Sequence, residues 1–208
     1  MKKTVLNVPN TLSLIRVLLV PAFVLTLIFM KDIEIWGLIV PSLVFVLTAL
    51  TDMLDGKIAR KYNLVTDFGK FIDPLADKFM VIGAMLVIMY RSMTSDAPNR
   101  LFSTLFFWAA MMVIFRELAV TSIRLVASGS KGVVLAANML GKIKTVTQII
   151  CVCACIAEPI IGTYIPFLGF LVEYLPLSIA SAALMLFFTL WSGINYIVSY
   201  WKYLDPEK

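Results

Sequence analysis

Four aspartates in one short stretch are the residues best equipped for chemistry. Asp52 and Asp55 are three residues apart, and Asp73 and Asp77 are four apart. On a helix either spacing places both carboxylates on one face. The apolar run Ile35 to Thr51 rises about 26 Å as a helix, so Asp52 reaches the edge of a hydrocarbon core about 30 Å thick. By the same geometry Asp77 lies one turn inside the next span. Two antiparallel helices would aim all four carboxylates at one spot. Four like charges repel, and divalent cations relieve that repulsion. Hard oxygen ligands suit Mg²⁺, Mn²⁺ or Ca²⁺ rather than Zn²⁺. Two such ions about 3.5–4 Å apart form a clamp for in-line displacement at phosphorus. The competing reading caps helices with these residues, or pairs them with Lys57, Arg60, Lys70 or Lys78. That suits any one Asp better than all four together, because ionisable groups in a membrane are expensive to keep.

The connection between the two pairs, read as Gly56 to Ile72, adds detail. Gly56 and Ala59 form a small-residue face that lets a ligand or a backbone approach closely. Arg60 offers two parallel donors to a phosphate. Gly69 precedes Asp73 by one turn, where a bulky side chain would crowd the site. Pro74 is expected in the first turn of the third helix.

A second set of charges is basic. The fourteen residues Phe102 to Phe115 rise about 21 Å, so Arg116 and Glu117 enter before the core has been crossed. Arg124 follows two turns later, and Lys131, Lys142 and Lys144 crowd the next connection. Arg116, Arg124 and Lys142, with Lys144 nearby, would suit a phosphate on a second substrate. The plainer alternative is snorkelling to the interface, with Glu117 as a partner for Arg116. Arg16 reads as a snorkelling anchor. There is no histidine, so acid–base or metal chemistry falls to carboxylates, Lys, Tyr, Cys or water. Cys151, Cys153 and Cys155 lie in one apolar run and read as packing residues, with Cys151 and Cys155 on one helix face.

The elements that must position these groups follow from composition. Of 208 residues 61% are hydrophobic and 15% charged, and mean hydropathy is +0.93. A soluble domain is about 45–50% apolar and about 25% charged. Such a chain cannot hide its apolar surface in water, which excludes a soluble enzyme, a disordered chain and a nucleic-acid binder. The expected fold is an all-α integral membrane protein of one domain, residues 1–208, with six transmembrane helices. They are read at about 10–30, 35–54, 73–90, 101–125, 144–165 and 175–201, after a short amphipathic N-terminal segment. The connections alternate in charge, and one side carries 15 of the 18 Lys and Arg residues. The opposite side holds Lys31, Arg91 and Arg100, and its last connection, Glu158 to Glu173, has no positive charge. The positive-inside rule then puts both termini and the acidic cluster in the cytoplasm. A divalent-cation channel or transporter is the rival reading, since acidic groups also mark ion pathways. Against it, the outer halves of the spans carry almost no charge.

The stretch Asp52-Met53-Leu54-Asp55-Gly56-Lys57-Ile58-Ala59-Arg60, eight residues, then Gly69-Lys70-Phe71-Ile72-Asp73-Pro74-Leu75-Ala76-Asp77 resembles the signature of the CDP-alcohol phosphotransferases, with all eight signature residues at the family spacing. Val8-Pro9-Asn10-Thr11-Leu12-Ser13-Leu14-Ile15-Arg16, Phe115-Arg116-Glu117-Leu118 and Gly141-Lys142-Ile143-Lys144-Thr145 look like the bacterial branch that uses glycerol 3-phosphate. The resemblance implies a homodimer in the bacterial cytoplasmic membrane, with its active site facing the cytoplasm. It implies transfer of a phosphatidyl group from CDP-diacylglycerol to sn-glycerol 3-phosphate with release of CMP. Inositol phosphate or phosphatidylglycerol would be the alternative acceptors. By the same resemblance Asp52, Asp55, Asp73 and Asp77 bind two divalent cations, Mg²⁺ or Mn²⁺, and Asp77 is also the catalytic base. Gly56, Ala59, Arg60 and Gly69 serve the CDP-lipid.

Overall fold

A computed structural model of the chain describes residues 8–30, 33, 36–61, 67–95, 98–131 and 139–201. Within the helices, the side chains of residues 8–10, 38, 49, 50, 52–61, 67–71, 73, 125 and 127–131 lie outside the description. Every regular element among the described residues is helical. The order is α1 (Val8–Phe29), α2 (Trp36–Lys61), α3 (Asp67–Met93), α4 (Arg100–Lys131), α5 (Met139–Tyr164), a 3₁₀ turn (Pro166–Leu168), α6 (Phe170–Tyr174) and α7 (Pro176–Tyr200). Four of these contain stretches long and apolar enough to cross a membrane: Thr11–Phe29, Arg100–Arg124, Met139–Tyr164 and Pro176–Tyr200. A shorter apolar run, Ile39–Thr48, lies in α2. Large apolar side chains such as Leu18, Phe29, Phe115 and Val198 are exposed along the helices, as a lipid-facing surface requires. This is a multi-pass membrane architecture.

The helices exceed the expected spans at the ends that carry charge. Two connections shrink accordingly. The one expected from Gly56 to Ile72 is replaced by helix up to Lys61 and again from Asp67. Pro74 is therefore well inside α3 rather than in its first turn. The basic connection before the fifth span is also mostly helical, with Lys131 ending α4 and Lys142 and Lys144 near the start of α5. Glu158, expected to open the outer connection, sits within α5. Lys, Arg and Glu are good helix formers, so the backbone can continue past the point where apolar composition stops. Pro21, Pro41, Pro74 and Pro159 all lie inside helices. Neighbouring helices and local adjustment make such interruptions tolerable in membrane helices.

The chain divides into two compact units, residues 1–91 and 92–208. In the first, α1 packs on α2, with the Phe23 and Phe45 rings 5.4 Å apart, and Val20 and Leu27 of α1 are also buried. Gly83 of α3 lets Val20 approach, since a Cβ there would come within 3.2 Å of that side chain. In the second unit α7 packs against α4 and α5. Its buried face is Ser178, Ser181, Ala182, Met185, Thr189, Ser192, Gly193 and Tyr196. Small residues at helical spacing bring backbones close, which is how helices associate where lipid is as apolar as the side chains.

Two caps set the ends of this unit. Asn99 accepts the Phe102 amide at 3.0 Å as the N-cap of α4 and donates to the carbonyls of Glu173 and Tyr174. Glu158, fully buried, accepts the amides of Leu177 and Ser178 at 2.8 and 2.7 Å. It supplies the first turn of α7 with a negative charge from another helix, where the dipole favours one. Leu175, just before α7, has φ 48°, so the chain reverses through a left-handed residue. Gly162 has no room for a side chain, because a Cβ would meet Val172 at 2.7 Å.

Candidate active site

The acidic signature occupies two helix ends. Asp52, Asp55, Gly56, Ala59 and Arg60 fall in the last three turns of α2, and Gly69 and Asp73 in the first two of α3. The side chains of these residues lie outside the description. Their helical backbone keeps Asp52 with Asp55, and Asp73 with Asp77, at separations that share a face. Asp77 is described. Its side chain is 53% exposed, and its Oδ1 accepts a hydrogen bond from Arg16 Nη1 at 2.9 Å. Arg16 is not the snorkelling anchor expected of it. It is completely buried, because its charge is answered by a carboxylate within the protein rather than by the interface. The donor set offered here is wholly carboxylate, which fits Mg²⁺ or Mn²⁺ and not a soft metal.

The basic set gathers around Glu117. Arg116 Nη1 donates to Glu117 Oε1 at 3.1 Å, and Lys144 Nζ of α5 donates to the same oxygen. All three side chains are nearly buried, at 12% exposure for Arg116, 13% for Glu117 and 7% for Lys144. The group carries one net positive charge. Two buried cations on one carboxylate oxygen repel each other, so the shared carboxylate is what lets them coexist. Arg116 Nε is buried with no hydrogen-bond partner among the described residues. The Arg116 stem lies on Gly193 of α7, where a Cβ would approach its Cγ to 3.2 Å. A Cβ on Gly141 would sit 4.0 Å from Arg116 Nη2.

The other two expected basic residues are placed differently. Arg124 is exposed, and its Nε donates to Tyr196 Oη at 3.0 Å, with the guanidinium over the Tyr196 ring. Lys142 is exposed, on a different face of α5 from buried Lys144. The described contacts thus join Arg116 to Glu117 and Lys144. Gly193 and Tyr196 were not anticipated. The signal for them was the small and aromatic spacing along α7, which reads equally well as packing. Gln148, one turn after Lys144, is also buried, and its Nε2 has no partner among the described residues. Of the cysteines, Cys151 is buried and Cys153 exposed, as their spacing predicts.

The CDP-alcohol phosphatidyltransferase family matches residues 6–194, which spans both units. The chain belongs to this family. Its relatives in the family include a protein of Bacillus subtilis (strain 168) that is 37% identical, with 97% of this chain and 98% of the relative aligned. Proteins of Shigella flexneri serotype 5b and Salmonella typhimurium are each 32% identical, with 92% of this chain and 93% of theirs aligned. All three are named CDP-diacylglycerol–glycerol-3-phosphate 3-phosphatidyltransferase. As a member of the family this chain is a phosphatidyltransferase, and the acidic signature in α2 and α3 falls wholly within the matched residues.

Proposed function

We propose that this protein transfers the phosphatidyl group of CDP-diacylglycerol to sn-glycerol 3-phosphate, giving phosphatidylglycerophosphate and CMP. The observation that favours an acceptor bearing a phosphate is the buried, net-positive group of Arg116, Glu117 and Lys144. A phosphate on the acceptor explains why a membrane enzyme keeps that charge inside its helices, and an uncharged alcohol does not. Among phosphate-bearing acceptors, the names of relatives aligned over nearly the whole chain favour glycerol 3-phosphate.

In this reading Asp52, Asp55, Asp73 and Asp77 hold two divalent cations, Mg²⁺ or Mn²⁺. When bound, the cations neutralise the diphosphate and stabilise the departing CMP. Gly56, Ala59 and Gly69 admit the CDP moiety close to the backbone, and Arg60 donates to its phosphates. Arg116, Arg124 and Lys142 hold the acceptor phosphate, with Lys144 beside them. The acceptor hydroxyl attacks the phosphorus that bears the diacylglycerol. One P–O bond forms there and the P–O bond to CMP breaks. Asp77 takes the hydroxyl proton, which requires it within about 2.6–3.2 Å, directly or through one water. Arg16 orients Asp77 through Oδ1 for this task.

The whole chain acts as one functional domain in the bacterial cytoplasmic membrane, as a homodimer. The six helices of 22 to 32 residues, α1 to α5 and α7, each exceed the roughly 20 residues a crossing needs. Six crossings agree with both termini and the acidic signature on the Lys- and Arg-rich cytoplasmic side.

The test is CMP release by purified protein with CDP-diacylglycerol, Mg²⁺ or Mn²⁺, and one acceptor at a time. Metal-dependent turnover with glycerol 3-phosphate is the expected result. Turnover only with inositol phosphate or phosphatidylglycerol would keep the reaction and replace the acceptor. No release from folded protein with any acceptor would remove the enzymatic reading.

A further inference from the structure

We infer that Glu117 is a positioning residue for the acceptor-phosphate site: it fixes the Arg116 guanidinium so that its Nε edge is the one presented to an anion. The inference rests on the reading that the basic residues of α4 and α5 bind the acceptor phosphate. A guanidinium has three edges through which it can present donors, and a buried arginine selects one by committing the rest. Arg116 commits Nη1 to Glu117. Its Cγ is held by the close approach of Gly193 from α7. Nε is left buried with no partner among the described residues, and Nη2 faces the bare backbone of Gly141. An unsatisfied buried donor is costly, and a phosphate oxygen arriving at Nε relieves that cost. Gly141 places no side chain against Nη2, where a Cβ would lie 4.0 Å away, in ordinary contact.

Lys144 explains why the carboxylate is indispensable. Both cations bond one oxygen of Glu117, so neither can turn toward the anion without breaking that contact. Without the negative charge, Arg116 and Lys144 would repel, and the guanidinium would swing off Gly193. Glu117 contacts no substrate in this scheme. It acts through Arg116, and its loss should therefore weaken capture of the acceptor and leave capture of the CDP-lipid alone.

The experiment compares Glu117→Gln, Arg116→Gln and Gly193→Ala with the unaltered full-length enzyme. It reads KM for each substrate, kcat, the inhibition constant of inorganic phosphate, and thermal stability in detergent. Loss of one charge-assisted contact corresponds to roughly a tenfold to hundredfold effect. Glu117→Gln should raise KM for glycerol 3-phosphate and the phosphate inhibition constant together by about tenfold or more, with KM for CDP-diacylglycerol unchanged. Gly193→Ala should do the same to a smaller degree, because it displaces Arg116 without altering charge. If Arg116→Gln raises the acceptor KM and Glu117→Gln does not, the positioning role is overturned and the acceptor site stands. If neither variant moves it, the acceptor-site reading falls and takes the inference with it. A Glu117→Gln protein whose stability and both KM values change together has a structural glutamate, which also overturns the inference. Should Glu117→Gln fail to fold, Gly193→Ala decides: a rise confined to the acceptor KM supports the inference, and no change overturns it.

Discussion

Arg16 and Arg116 each lie in an apolar helix and each answer a carboxylate, but one carboxylate is half exposed and the other is nearly as buried as its arginine. In the first unit the arginine is completely buried and the carboxylate of Asp77 stands half exposed. In the second, Glu117 is almost buried between two cations, and the excess charge is positive. The same ion-pair chemistry therefore presents a carboxylate acceptor in one place and a buried cationic donor in the other. Both arginines leave a buried Nε without a hydrogen-bond partner among the described residues, so what separates the pairs is the carboxylate: exposed at Asp77, enclosed at Glu117. An arginine read only by its distance from a helix end would be assigned the same role in both places.

That contrast predicts different kinetic failures. The largest effect is expected from removal of the cations that the α2 and α3 carboxylates are proposed to hold. Chelation should abolish CMP release, and added Mg²⁺ or Mn²⁺ should restore it, while the thermal unfolding of the protein shows whether the fold survives. Asp77→Asn comes next. A lost general base costs about 10²–10⁴-fold, and the loss should fall on kcat with little change in the acceptor KM. Retention of near-normal kcat would remove Asp77 from the proton transfer. Arg16→Gln should lower kcat by about tenfold to hundredfold, the value of one charge-assisted bond, again sparing the acceptor KM. Comparing it with Glu117→Gln, which should act on KM, sharpens the contrast. Equal kcat and KM effects from both variants would dissolve it. The smallest effect concerns Glu158, far in sequence from either set of proposed ligands. Glu158→Gln weakens two bonds to the first turn of α7 and should cost about 1–3 kcal/mol of stability without altering kinetic constants. Unchanged thermal unfolding would show that the α7 cap is dispensable.

Much of this was legible in the residues. The apolar stretches locate the long helices, because a bilayer demands length and low charge together. The i, i+3 and i, i+4 aspartates announce a shared face whatever surrounds them. Arg116 beside Glu117 was foreseeable as a pair, since both enter the same turn of an apolar helix. The helix ends were not. Hydropathy stops at the first charged residue, while helix propensity does not, so α2 runs on to Lys61 and α5 starts at Met139. Arg16 was misread because its partner lies 61 residues away. Lys144 was placed beside the basic set and not within it, because one-dimensional spacing does not say which of two nearby lysines turns inward.

By itself the sequence determined a helical membrane protein and its carboxylate-rich signature. Both depend on local periodicity and on composition, which act along the chain. Only the tertiary structure decided which charges meet. Arg16 with Asp77, Lys144 with Glu117, Glu158 with the start of α7, and Gly193 under Arg116 are contacts between helices. A charge in low-dielectric surroundings is stable only beside its counter-charge or a bonded donor. Which partner it finds is fixed by how helices pack, and that depends on residues far apart in the chain.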